Sequence, residues 1–147
     1  VETIPALFWW AANFGRYLTT KPVLTRIESR EIIETAMHRI ATLDEDYYYG
    51  GPTRFFGTFY SRLPGVPLDR AKSNFDQSLA DSPNYLGTRV LRARYYHTKL
   101  GNRDLFEEDL NYVINADPSI LPDAMPENLF EQEKAKELLK HTSILFE

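Results

Sequence analysis

The chain of 147 residues has no cysteine. Disulfides, thiolate metal sites and a catalytic thiol are therefore excluded, while the compartment stays open. Histidine is scarce: His38, His97 and His141 lie too far apart for a local metal motif, and none has a carboxylate at the HExxH type of spacing. No apolar run approaches the roughly 20 residues needed to span a bilayer. The net charge of -4 leaves no excess of positive charge, which argues against a binder driven by phosphate neutralisation. Gly50-Gly51 with Gly57 is not a phosphate loop, because no Lys-Ser/Thr follows at the required place. Ser29, Ser61 and Ser73 lie in no nucleophile-elbow context. Glu107, Glu108 and Asp109 read as a solvated helix face rather than an acid–base pair. The sequence thus predicts no catalytic residue, no metal and no cofactor.

What remains is ordinary in bulk and unusual in detail. Hydrophobic content of 43% and charged content of 26% fit a globular domain, and the length suggests a single one over residues 1–147. Aromatic content of 14% is high, so some rings are expected to do more than fill a core. The run Tyr47-Tyr48-Tyr49-Gly50-Gly51-Pro52-Thr53-Arg54-Phe55-Phe56-Gly57 packs five aromatics and three glycines into eleven positions. A generic helix has no use for that mixture.

A repeat follows the run. Gly57, Tyr60, Ala71, Phe75 and Pro83 recur as Ala93, Tyr96, Phe106, Leu110 and Pro118, with the same steps of 3, 4 and 8 residues. Pro83 and Pro118 are 35 residues apart, against a tetratricopeptide period of about 34. A weaker earlier unit ends at Leu43-Asp44-Glu45-Asp46-Tyr47, which resembles Leu79-Ala80-Asp81-Ser82-Pro83-Asn84-Tyr85. Such units are antiparallel helix pairs. A small residue (Gly57, Ala93) lets the second helix approach, an apolar one (Phe75, Leu110) fills the gap, and proline stops the unit. The predicted fold is all-α: about three tetratricopeptide-like hairpins in a right-handed solenoid, with a C-terminal capping helix.

Apolar spacing places seven helices. They run from Thr3 to Leu18, from a Thr25–Glu28 capping box to Leu43, from Pro52 to Arg62, from Leu68 to Ala80, from Asn84 to Lys99, from Arg103 to Asn115, and from Asn128 to about Leu145. Predicted inward positions include Ile33, Met37, Ile40, Leu43, Ala71, Phe75, Leu79, Leu86, Val90, Ala93, Leu100, Phe106, Leu110, Val113, Leu129, Ala135, Leu138 and Leu139. Gly101 is placed as a left-handed helix cap.

The stretch Leu43 to Gly57 resembles the central motif of the T component of tripartite ATP-independent periplasmic (TRAP) transporters. Ala93-Arg94-Tyr95-Tyr96 with Asp104-Leu105-Phe106 resembles that family's next hairpin, and Leu7-Phe8-Trp9-Trp10-Ala11-Ala12 its tryptophan-bearing helix. The resemblance implies a periplasmic, often lipid-anchored, tetratricopeptide-like transport protein. It further implies a trimer, association with the solute-binding P component, and a channel for a small apolar or amphipathic ligand. The chain is expected to be the C-terminal portion of a longer member, lacking the N-terminal helices and the anchor.

Candidate partner- or ligand-binding residues are Trp9, Trp10, Tyr47, Tyr48, Tyr49, Arg54, Arg92, Arg94 and Tyr95. Trp9 and Trp10 stand about 100° apart on a helix, so one is expected in the core and the other along a groove. At least one of the three tyrosines should pack against the next helix, and another should offer its hydroxyl. Arg54 is expected to pair with Asp44, Glu45 or Asp46, or else to serve a ligand. Arg89, Arg92 and Arg94 with Tyr95 read either as a solvated face or as a site for a carboxylate or a partner's acidic patch. The alternative to a transport accessory is a generic tetratricopeptide scaffold that binds a peptide or helix in its concave groove.

Overall fold

Apolar residues spaced three and four apart must gather on one helix face. The computed structural model, which describes residues 2–147, is helical throughout, with no strand among the described residues. Helix α1 (Ile4–Leu18) buries Ile4, Phe8, Ala11 and Leu18, and Pro5 sits harmlessly in its first turn. A short α2 (Val23–Glu28) precedes α3 (Arg30–Leu43), which buries Ile33, Met37 and Ile40. The expected capping box does not form. The turn begins earlier, where Arg26 N–H donates to Pro22 at 3.2 Å, so Thr25 already lies inside α2.

Next come α4 (Tyr47–Arg62) and α5 (Leu68–Asp81), joined by a short loop. Helix α6 (Gly87–Leu91) runs through a π-helical turn, Arg92–His97, into α7 (Thr98–Leu100). Gly101 closes it in the left-handed conformation, as expected. Helix α8 (Arg103–Asn115) is capped by Asn102, whose Oδ1 accepts from Leu105 N–H at 3.0 Å. Two 3-10 turns, Pro118–Ile120 and Pro122–Ala124, lead to α9 (Met125–Lys140) and a final turn, α10 (Thr142–Leu145).

Two hydrophobic clusters result. One joins α1, α3, α4 and α5 through Phe8, Met37, Ile40, Phe56 and Phe75; the other joins α6, α8 and α9 through Val90, Phe106, Leu110 and Ala135. The π turn belongs to both, sending Tyr96 into the first and Ala93 into the second. Gly57 lets α5 approach α4: a Cβ there would stand 2.8 Å from the Phe75 ring.

Three expected inward leucines are exposed: Leu43, Leu100 and Leu129. The first two end their helices, beyond the reach of a partner. Leu129 yields to Asn128, whose buried amide accepts from Leu86 N–H at 2.9 Å and donates to the Asn84 carbonyl at 3.0 Å. One turn on, the Gln132 amide donates to the carbonyls of Val113 and Ala116 at 3.0 and 2.9 Å. Helix α9 therefore grips its neighbours through backbone groups, a mode that hydropathy spacing does not register.

Candidate aromatic docking site

Right-handed helix is the default for L-residues because the left-handed form crowds Cβ against the carbonyl, at about 1–2 kcal/mol per residue. Tyr48, Tyr49 and Gly50 nevertheless take left-handed values in succession, with φ of 52°, 58° and 66°. The regular part of α4 starts only after them, near Pro52, where the sequence places it. Gly50 bears this geometry freely, whereas the two tyrosines need outside support.

Arg54 supplies that support. The residue is 5% exposed, and its guanidinium donates to the Tyr49 carbonyl at 2.8 Å and the Tyr48 carbonyl at 3.0 Å. It also lies 4.2 Å from the Tyr85 ring centre. The expected ion pair with Asp44, Glu45 or Asp46 is absent: the side chain turns inward, beneath the turn, while those three carboxylates stay exposed. Burial pulls the Arg54 guanidinium below its ordinary value, countered by Tyr85, Tyr48 and Glu131 nearby. Burial likewise pushes the Tyr85 phenol up, so the ring facing Arg54 stays neutral.

Held this way, the three tyrosines form a half-buried patch with α1. Tyr47 packs on Phe8 at 5.2 Å between ring centres, Tyr48 on Trp9 at 5.3 Å, and Tyr49 stacks on Tyr85 at 5.3 Å. Trp9 is 46% exposed and Trp10 44%, so neither is the core residue of the pair. Phe8 takes that place, because the buried stripe is phased on Ile4, Phe8 and Ala11. Trp10 stacks instead with Phe14, at 5.4 Å, outside the tyrosine patch.

The remaining candidates separate into two groups. Arg92 is no surface ligand: it donates to Asp109 through Nε and Nη2, both at 2.7 Å. Arg89 joins at 2.8 Å, and His97 Nε2 donates to the same carboxylate at 3.1 Å. Asp109 is 2% exposed, so the solvated face expected for it is overturned. Burial raises its pKa, but the hydrogen bonds from His97, Arg92 and Arg89 prevail and hold it at about 2. The π turn makes this possible, because i→i+5 bonding brings Arg92 and His97 to one side. Arg94 and Tyr95 point the other way, into an open pocket of about 450 Å³ shared with Arg26, Arg62 and Lys99.

Sequence reasoning missed Phe8, Tyr85, His97 and Asp109. Phe8 carried a signal in the Ile4, Phe8, Ala11 spacing, and Tyr85 another, since it holds in its unit the place that Tyr47 holds in the earlier one. Among the described residues no cluster of His, Asp or Glu could hold a metal ion, and no helix is long and apolar enough to cross a membrane. A family model described as TRAP transporter T-component matches residues 1–146. No curated protein matches the chain.

Proposed function

The chain belongs to the TRAP transporter T-component family, and on that premise we propose that it docks the periplasmic solute receptor of its transporter through the patch of Trp9, Tyr47, Tyr48 and Tyr49. The observation that carries this reading is the left-handed tyrosine turn. Strain of this kind persists where surrounding structure over-determines it, and such places concentrate at binding sites. The turn presents rigid amphipathic rings beside a half-exposed tryptophan, the composition that dominates binding energy at interfaces. The tyrosine turn is pinned by Arg54 and packs on α1, so little ordering cost attends docking. The same reading makes the helix pairs α4–α5 and α6/α7–α8 a tetratricopeptide-type solenoid, supported by the small-residue contacts at Gly57 and Ala93.

The test is receptor affinity by calorimetry with the full-length protein. Tyr48→Ala and Trp9→Ala should each weaken association about tenfold or more while leaving the helical circular dichroism unchanged. Wild-type affinity in both variants would remove the patch from the interface.

The scaffold reading has one observation of its own. An open pocket of about 510 Å³ is lined by Asn84, Asn111 and Asn115 beside Tyr112. Amide side chains suit the gripping of a peptide backbone. Asn111→Ala would lower affinity for an extended peptide under that reading and leave receptor docking unaffected.

A further inference from the structure

Cations on a protein surface are ordinarily dispersed or paired with carboxylates. Here many are paired: Arg30 with Glu34, Lys72 with Asp76, Arg103 with Glu107, and three lysines of α9 with glutamates. Arg26, Arg62, Arg94 and Lys99 behave otherwise. They come from α2, α4, the π turn and α7, and all four line one pocket of about 450 Å³. Among the described residues none of the four forms an ion pair, and no carboxylate lines the pocket. The chain as a whole carries a net charge of -4, so this local excess runs against its background.

The pocket is also ordered for recognition. The Arg62 and Arg94 guanidinium groups lie 4.9 and 5.2 Å from the Tyr95 ring centre, which fixes both forks around one aromatic plane. Arg26 has its Nε buried with no hydrogen-bond partner, an orphaned donor within the same lining. The two hydroxyls present compete little for a ligand: Ser61 Oγ donates to Gly57 at 2.8 Å and Thr98 Oγ1 to Ala93 at 3.1 Å, each within its own helix. Two planar forks beside one ring, with a third fork and one ammonium in the same lining, match an anion bearing several planar carboxylates.

We infer that this pocket binds a small organic anion with two or more carboxylate groups. It lies at the opposite end of α4 from the tyrosine patch, and the inference stands or falls independently of receptor docking. The depression is open to solvent, and several charges on the ligand are needed to neutralise its lining.

Calorimetric titration of the chain with citrate tests the inference, with acetate, inorganic phosphate and a decaglutamate peptide as comparison probes. Citrate should bind, and acetate at least tenfold more weakly. Arg62→Ala and Arg94→Ala should each lower citrate affinity about tenfold. Arg103→Ala removes the same charge outside the pocket and should change nothing; both pocket arginines are exposed, so unchanged circular dichroism is expected throughout. Arg94→Lys should fall between wild type and alanine, because it keeps the charge and loses the fork. The inference is overturned by absence of citrate binding, by an equal loss in Arg103→Ala, or by phosphate binding as tightly as citrate. Binding of decaglutamate alone would also overturn it and assign the pocket to an acidic protein partner.

Discussion

Tyr49 carries a φ of 58° and gains stacking on Tyr85, so conformational strain and ring packing oppose each other at one residue. Two substitutions separate them. Tyr49→Ala removes the ring and keeps the Cβ, whereas Tyr49→Gly removes both. The glycine variant should be more stable than the alanine variant by about 1 kcal/mol, read from urea midpoints. Equal midpoints would mean that the left-handed backbone costs nothing here. Asp109 offers a second residue-scale expectation. Its pKa lies near 2 in the folded chain against 3.8 for a free side chain, so the unfolded state takes up the proton more readily. The resulting stabilisation, about 2 kcal/mol, is fully present above about pH 4 and is lost as the pH falls toward 2. Asp109→Asn leaves Arg89 without its counterion and Arg92 with only the longer pair to Asp76 at 3.4 Å, and should cost about 3 kcal/mol at pH 7. The gap between that variant and wild type should narrow between pH 4 and pH 2.

At the scale of elements, the contact of α4 with α5 turns on Gly57. Even alanine would bring its Cβ to 2.8 Å from the Phe75 ring, so Gly57→Ala should lower stability by about 1–3 kcal/mol in denaturant titration. The repeat made this contact legible: a small residue and an aromatic at matched steps identify two helices that touch. Helix positions were legible for the same reason, since apolar spacing is a local property; the Arg103–Asn115 span matches its expected bounds. Other features depended on partners far along the chain. Asp109 reads as surface because its neighbours Glu107 and Glu108 are acidic, and only the π turn, 12 to 17 residues earlier, brings it three donors with Arg89. Arg54 reads as one half of an ion pair because acidic residues precede it, yet the carbonyls exposed by the left-handed turn claim it first. The tyrosine–glycine run was recognisable as a motif, whereas its handedness was not, because tyrosine has no preference for that region of backbone space.

For the molecule as a whole, the two hydrophobic clusters meet at the π turn, where Tyr96 and Ala93 face opposite sides. Both tryptophans lie on α1, beside the first cluster. Their fluorescence therefore reports that cluster alone, while helical circular dichroism reports both. The two melting curves should coincide, as for a single cooperative unit. Separate midpoints would show that the clusters unfold independently and that the shared turn does not couple them.

The grip of α9 bears on which positions can drift. Asn128 and Gln132 hold the carbonyls of Asn84, Val113 and Ala116, and every amino acid carries a carbonyl. The side chains at positions 84 and 116 can therefore be exchanged in a randomised library without releasing α9. The two amides have no such latitude: aspartate or glutamate in their places would turn a donor into an acceptor facing other acceptors. Mutational tolerance along this seam is thus one-sided, broad on the surface that is held and narrow on the helix that holds it.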